Sequence, residues 1–325
     1  MTNFSDRIFR ELSETEFNLT ALELFHRTLT CNPVYREYTS ALGIDPAQVV
    51  RYEQIPFLPI GFFKTREVYA AGARPQKVFL SSGTTGMERS RHAVADLDLY
   101  RRSLAEGFRH FYGDPSGYLI AALTPTPEQN PDSSLIFMLS VLMSHTSGAF
   151  LSLDPSVNDP LSPLRPLRSK KKECMLIGLT YALLDLAEKR PEKDPSLIIV
   201  ETGGMKGRRK ELIREELHEK LKAGFGVEKI HSEYGMSELL SQAWSQGDGL
   251  FRCPPWMKVL IRDVNDPLSF VPSGQSGGIN IIDLANVYSC PFIATQDLGR
   301  IHPDGTFEVL GRFDDSDVRG CSLMI

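Results

Sequence analysis

Between residues 77 and 223 the chain alternates two textures, and that alternation limits its fold more than any other feature. "KVFL" (77–80), "YLIAAL" (118–123), "AFLSL" (149–153) and "SLIIV" (196–200) are short apolar runs suited to buried strands. Interleaved with them, "SSLIFMLSVLMS" (133–144), "GLTYALLDLAEK" (178–189) and "RKELIREELHEKLKA" (209–223) predict helices. Strands and helices that take turns along a chain predict an α/β layered body.

The two ends read differently. Over residues 4–29 the apolar positions Phe4, Ile8 and Leu12, then Leu22, Phe25 and Leu29, recur at helical spacing. Ser13 followed by Glu16 fits a capping box that restarts the helix. The connector "QIPFLPIGFFK" (54–64) cannot be helix interior, because each proline removes a donor and fixes its φ; it is expected to run extended along the surface of the body. After about residue 250, "MKVLIRDV", "GGINIIDL", "CPFIATQDLGRI" and "TFEVLGRF" predict short strands separated by Gly, Pro and Asp turns. The expected organisation is an N-terminal helical segment (1–55), an α/β body (56–250) and a β-rich subdomain with a short tail (251–325).

With 325 residues, 42% of them hydrophobic and 24% charged, the chain has ample material for a large core. A net charge of −5 argues against a nucleic-acid-binding surface. The basic runs "RSKKKE" (168–173) and "KGRRKE" (206–211) read as solvated helix ends or loop faces. Five widely spaced cysteines, Cys31, Cys174, Cys253, Cys290 and Cys321, form no CxxC pair, which predicts a reducing, cytoplasmic setting and no structural zinc. Cys174 and Cys290 lie in apolar company and are expected in the core. The acidic N-terminus does not read as a signal peptide, and no apolar stretch reaches the roughly 18 residues needed to span a membrane.

Four motifs offer chemistry. After "KVFL" comes Ser81-Ser82-Gly83-Thr84-Thr85-Gly86, with two glycines that permit close backbone approach and four hydroxyls that can donate to phosphate oxygens. It lacks the Walker A spacing, and taken alone it can equally be a surface turn. "HSEYGMSE" (231–238) sets the aromatic face of Tyr234 beside Gly235, which suits stacking on a nucleobase, and adds Ser237 and Glu238, a carboxylate able to ligate magnesium. The alternative is a core tyrosine beside a turn, with a solvated glutamate.

"TQDLGRIHPDGTFEVLGRFDDSD" (295–317) carries the other two motifs. Asp297 has two acceptor oxygens for the hydroxyls of a ribose, or else forms an Asx turn. Arg312 can meet a phosphate bidentately, or else pair with Asp314 or Asp315. Asp304-Gly305 reads as a hairpin turn. His92, His145 and His231 lie near these motifs; His231 can orient a substrate carboxylate or be a satisfied structural histidine.

The order SSGTTG, YGMSE, TQDLGR, GRFDDSD resembles the adenylate-forming superfamily of acyl-CoA synthetases, luciferases and peptide-synthetase adenylation domains, over residues 55–319. The resemblance implies ATP and Mg2+ as cofactors. It implies Ser82, Gly83, Thr84, Thr85 and Gly86 at the phosphates, and Tyr234, Gly235, Ser237 and Glu238 at adenine and metal. Asp297 would then serve the ribose, and Arg312 the ribose or phosphate. "ETGGMKG" (201–207) resembles the segment lining the adenine pocket, which implicates Gly203 and Gly204.

Two departures narrow the expectation. The family's usual Pro-Lys pair is replaced by Glu88-Arg89, which keeps the positive charge in a planar fork and makes Arg89 a catalytic candidate. The sequence ends at Ile325, a few residues past the last motif, so the usual small C-terminal domain is expected to be missing. With "IPFLPIGFFK" and the tail "DVRGCSLMI", the chain is similar to the LuxE-type acyl-protein synthetases of fatty-acid reductase complexes. Members of that family activate a fatty acid as acyl-AMP and move the acyl group onto a cysteine near their C-terminus, and Cys321 occupies the matching place. An extended tail could carry its thiol about 25 Å from Asp314. The neighbouring Arg319 favours the thiolate.

The resemblance thus implies an acid–thiol ligase that hands its acyl group to a partner such as an acyl reductase or a carrier protein. Two alternatives stand beside it: an acyl-CoA or carrier-protein ligase with no acyl-enzyme, and a non-catalytic acyl- or nucleotide-binding module.

Overall fold

The computed structural model describes residues 4–82, 88–154, 161–162, 167, 172–189, 193–205 and 212–313. From the N-terminus come helices α1 (Phe4–Ile8), α2 (Glu14–Cys31) and α3 (Pro33–Ala41), strand β1 (Leu58–Pro59), helix α4 (Phe62–Thr65), and strands β2 (Lys77–Leu80) and β3 (Arg91–Val94). Next are α5 (Leu97–Tyr112), β4 (Tyr118–Leu123), α6 (Ser134–Ser144), β5 (Ser147–Phe150), β6 (Glu173–Leu179) and α7 (Thr180–Lys189). They are followed by β7 (Leu197–Thr202), α8 (Arg214–Phe225), β8 (Ile230–Tyr234) and β9 (Ala243–Ser245). Strands β10 (Met257–Arg262), β11 (Ser276–Asp283), β12 (Phe292–Ile301) and β13 (Phe307–Arg312) close the described chain. The chain divides into two compact units, one of Met1–Gln76, His92–Ala95 and Pro255–Ile325, the other of Lys77–Arg91 and Asp96–Pro254.

The second unit is built on a six-stranded sheet in the order β5-β4-β6-β7-β8-β9, parallel from β5 to β8 and antiparallel at β9. Residues 119–123 of β4 and 174–179 of β6 are buried without alternation, as strands covered on both faces must be. Leu176, Ile199, Leu183, Leu221 and Phe225 are fully buried in one cluster that joins the sheet to α7 and α8. The chain runs outward from β4 to β5 and returns on the other side at β6. Open α/β sheets bind ligands beyond the carboxyl ends of strands around such a reversal. The carboxyl ends of β7 and β8, further along the same edge, lead into loops that begin with Gly203-Gly204 and Gly235.

Strands β3 and β6 and helix α5 lie outside the alternation read from the sequence, and the boundaries of β5, α7 and α8 move. In α5 the buried Tyr100, Leu104 and Phe108 form a stripe at four-residue spacing, broken up in sequence by Arg101, Arg102 and Arg109. Strand β6 extends to Leu179, so the helix expected from residue 178 starts at Thr180. Gly178 explains the strand's close fit: a Cβ there would come within 2.8 Å of Leu183 Cγ.

In the first unit the sheet runs β1-β12-β11-β10, with β13 also paired to β12. The capping box forms as read: Ser13 Oγ accepts from the Glu16 amide, and Glu16 Oε2 accepts from the Ser13 amide at 2.9 Å. The Pro-rich connector departs from expectation. It is extended only from Ile55 to Pro59, since Gln54 closes a 3-10 turn and Phe62–Lys64 belong to α4, and it is not a surface segment: Ile55, Phe57 and Leu58 are buried, and Leu58-Pro59 pairs in parallel with Ile293-Ala294. Tyr35 and Tyr38 donate their hydroxyls to the carbonyls of Pro56 and Phe57. Burying an apolar side chain of this size contributes about 1.5–3 kcal/mol, which outweighs leaving Phe57 and Leu58 in water.

Cys174 and Cys290 are buried as expected, and burial pushes the Cys290 thiol up to about 12, so it stays protonated and inert.

Candidate active site

The loop after β2 is anchored at its base. The Ser81 amide donates to Ser90 O at 3.0 Å, and the Ser90 amide donates to Ser81 Oγ at 2.9 Å. Arg89 donates from Nε to Ser81 O and from Nη2 to Leu80 O, so its fork grips the main chain at the mouth of the loop. Ser82 is exposed at the start of the loop. Gly83, Thr84, Thr85 and Gly86 lie outside the described residues, as does Cys321.

The carboxyl ends of β7 and β8 form the best-organised part of the second unit. Gly203 and Gly204 have φ of +74° and +61°, a left-handed pair that side chains other than glycine's rarely tolerate. A Cβ built on Gly204 would meet nothing within 4 Å, so a flat ligand can approach that backbone. At Gly235 a Cβ would come within 2.4 Å of Glu233 Oε1, so any side chain there would push the Glu233 carboxylate aside.

Beneath these loops is a buried polar network that the sequence reading did not single out. Glu201 accepts from Arg214 Nη1 at 2.6 Å and from Thr180 Oγ1 at 2.8 Å, and His218 Nε2 lies 3.8 Å from its carboxylate. Burial alone would raise the Glu201 carboxyl, but His218, Arg214, Ser232 and Thr180 together hold it down at about 2. The next residue, Thr202, donates its hydroxyl to Glu233 on β8. Neighbouring strand ends, one leading to Gly203-Gly204 and the other to Tyr234-Gly235, are thus cross-linked by side chains. The available signal was a strand ending in Glu-Thr before two glycines, but its partners come from α7, α8 and β8.

Tyr234 is buried and packs edge-on against Phe251, with ring centroids 5.9 Å apart. Glu238, 3% exposed, is a buried carboxylate and not the solvated one of the alternative reading. Ser237 lies 3.4 Å from the Ser134 hydroxyl at the start of α6. Among the described residues no three His, Cys, Asp or Glu side chains converge to hold a metal ion. Glu238 is one buried carboxylate, and magnesium bound through phosphate oxygens and water would need no more than one from the protein.

In the first unit, Asp297 and Arg312 face each other in the β12–β13 register, and Arg312 Nε donates to Asp297 Oδ1 at 3.1 Å. Their environments differ sharply: the Asp297 side chain is 10% exposed and that of Arg312 is 81% exposed. Arg312 therefore meets the other sequence-selected residue of this unit. The Asp304-Gly305 turn joins the two strands, with Asp304 Oδ1 accepting from the Thr306 amide and hydroxyl.

The histidines separate into different roles. His92 is buried beside Asn286 and Phe63. His145 is exposed at the end of α6. His231 stacks on Tyr112 and pairs through Nδ1 with its hydroxyl at 3.0 Å. Burial, with Lys229 adding to it, lowers His231 from 6.5 to about 4. A histidine whose folded value is depressed stabilises the fold above its unfolded value and loses that contribution as pH falls toward the folded one. Urea midpoints of the wild type should therefore drop between pH 6.5 and about 4, with a slope of at most about 1.4 kcal/mol per pH unit from this group. His231→Gln should flatten that limb; an unchanged slope in the variant would refute the assignment.

The family model described as "Acyl-protein synthetase, LuxE" matches residues 8–325. Among solved structures, 2-hydroxyisobutyryl-CoA ligase in the postadenylation state with 2-HIB-AMP is similar with a TM-score of 0.71 and 16% identity, over 93% of this chain and 68% of that one. ATP-bound MatB from Rhodopseudomonas palustris has a TM-score of 0.57 and 17% identity, over 74% of this chain and 49% of that one. The luciferase-like enzyme of the nonluminescent mealworm Zophobas morio has a TM-score of 0.53 and 16% identity, over 75% and 59%. At these identities the likeness is one of fold, and this chain spans about half the length of MatB. No curated protein matches. Among the described residues no helix is long and apolar enough to cross a membrane.

Proposed function

The chain belongs to the LuxE acyl-protein synthetase family, and on that premise we propose that it activates a carboxylic acid with ATP and transfers the acyl group to a thiol. The observation that carries this reading is the pair of cross-linked strand ends: a left-handed Gly203-Gly204 backbone, open at Gly204, next to the buried Tyr234 and half-buried Gly235, with the buried carboxylate of Glu238 following. Such a surface suits a flat base laid on glycine backbone and a triphosphate turned toward a carboxylate-held cation.

In the first step a carboxylate oxygen attacks the α-phosphorus of ATP, the bond to the bridging oxygen breaks, and pyrophosphate leaves. This chain's work is positioning and charge neutralisation. Gly203, Gly204, Tyr234 and Gly235 seat the adenine. Asp297, kept in place by Arg312, accepts from the ribose hydroxyls. Ser82, Thr84 and Thr85 donate to the phosphates, and Arg89 holds the base of their loop. Magnesium bound at Glu238 would neutralise phosphate charge. In the second step a thiolate attacks the acyl carbonyl of the mixed anhydride and AMP leaves. We assign that thiolate to Cys321, the acid to the fatty class and the onward acceptor to an acyl reductase, all by family resemblance.

Radiolabelled pyrophosphate exchange over a panel of short-, medium- and long-chain acids tests the first step, and intact mass after turnover tests the second. Cys321→Ser should keep exchange within about two-fold and lose the covalent acyl adduct. A retained adduct removes Cys321 from the mechanism. Thioester appearing only on added coenzyme A or carrier protein would favour the acyl-CoA or carrier-protein ligase reading.

A further inference from the structure

Asp297 sits at an interruption in the sheet of the first unit. Gly278 pairs with Leu298 and Asn280 with Ala294, so Ile279 of β11 stands opposite Thr295, Gln296 and Asp297 of β12 together. The extra residues on β12 make a bulge, and bulges re-aim the side chains that they carry. On the β11 side the ladder is broken there, so side-chain bonds must set its shape.

Those bonds centre on Arg262, the half-buried last residue of β10. Its Nη1 donates to Ile279 O at 2.9 Å and to Asn280 Oδ1 at 2.8 Å, and its Nη2 donates to Thr295 O at 2.6 Å. One planar fork thus ties β11 to β12 at the bulge. Thr295 Oγ1 donates to the same Ile279 carbonyl at 2.8 Å and accepts from the Asp297 amide at 3.1 Å. Hydrogen bonds therefore run without a break from the guanidinium, through Ile279 O and Thr295 Oγ1, to the main chain of Asp297.

The seat of the guanidinium is closely fitted. A Cβ on Gly278 would come within 2.3 Å of Arg262 Cζ, so any side chain there would displace the group from its carbonyls. The Phe313 ring centroid lies 5.4 Å from Arg262 Cζ, and the Phe313 amide donates to Gln296 O at 2.9 Å. Phe313 directly follows Arg312, whose Nε donates to Asp297. Asn280 is 1% exposed and gives its Oδ1 to the fork, while its Nδ2 meets no partner among the described residues. A buried amide satisfied on one side only costs stability, which argues for a role beyond holding the fold.

We propose that Arg262 is a positioning residue for nucleotide binding: it fixes the β12 bulge so that the Asp297 carboxylate meets the ribose hydroxyls. This role rests on the reading of Asp297 as the ribose residue, and Arg262 acts through it.

Titration calorimetry on the full chain with magnesium and either ATP or 2′-deoxy-ATP tests it. The wild type should bind ATP about ten-fold more tightly than 2′-deoxy-ATP, as expected when a hydrogen bond to a charged group is removed. Arg262→Met should bind ATP about ten-fold more weakly than the wild type and hold the two nucleotides within about three-fold of each other. Arg262→Lys should fall between, because an ammonium can meet one carbonyl but lacks the fork that grips both strands. It also carries the test if circular dichroism shows Arg262→Met to be unfolded. A residue with a purely structural role would weaken both nucleotides alike and keep their ratio, and that result overturns the proposal. Asp297→Asn separates the two readings. Discrimination lost in Asp297→Asn but kept in the Arg262 variants removes the positioning role and leaves the ribose assignment standing. Discrimination kept in Asp297→Asn, or absent from the wild type, removes both.

Discussion

Replacing Glu238 by glutamine should lower carboxylate-dependent ATP–pyrophosphate exchange by about a hundred- to a thousand-fold, the range seen when one preorganised charge-stabilising group is removed. Glutamine keeps the volume and the planar head group, so the change isolates the charge of a side chain only 3% exposed. A hard divalent cation binds a carboxylate far better than an amide when only one protein ligand is on offer. The readout should also move with metal: raising magnesium should restore part of the exchange in the variant and almost none in the saturated wild type. Exchange at the wild-type rate in Glu238→Gln would sink the metal assignment, whatever the fold.

The largest stability effect is expected at Arg214. Arg214→Ala leaves Glu201 in the interior without its nearest cation, and breaking a buried pair from one side costs about 3–5 kcal/mol. The Arg214 side chain is 27% exposed and Glu201 keeps Thr180 and His218 nearby, which places the expectation at the lower end, about 3 kcal/mol. Glu201→Gln/Arg214→Met removes both charges and should recover much of the loss. The pH dependence gives an independent check. Glu201 titrates at about 2 in the fold against an ordinary 4.5, so it stabilises above the unfolded value, and that contribution disappears as pH falls from 4.5 toward 2. Glu201→Gln should lack this acid limb, which overlaps the His231 window only between pH 4.5 and about 4. Chemical denaturation of the four proteins between pH 7 and pH 2.5 measures both, at about the pH values bracketing those shifts. An Arg214→Ala midpoint equal to that of the wild type would overturn the network's structural role.

Much of the architecture was legible because its causes are local. The Ser13–Glu16 capping box needs only residues three apart, and it forms as read. "KVFL" and "YLIAAL" coincide with β2 and β4, since a short apolar run bounded by turn residues has few other uses. Helix α5 is hard to read from the sequence because its arginines dilute the apolar stripe of Tyr100, Leu104 and Phe108. The prolines of the connector at 54–64 suggest a surface segment, yet its buried Phe57 and Leu58 decide its position. Proline rules out helix without specifying which side faces water.

The amino-acid sequence by itself determined the alternating layers, the strands after residue 250 and the motifs that carry chemistry, since periodicity, turns and caps act over a few neighbouring residues. Only the tertiary structure decided that Arg312 meets Asp297 across β12 and β13, that Glu201 is held by Arg214 from α8, and that Glu238 is buried. Those partners lie 15 and 13 residues apart on different elements. Their pairing follows from strand register and helix packing, which are set by burial summed over the whole unit and not by any short stretch of chain.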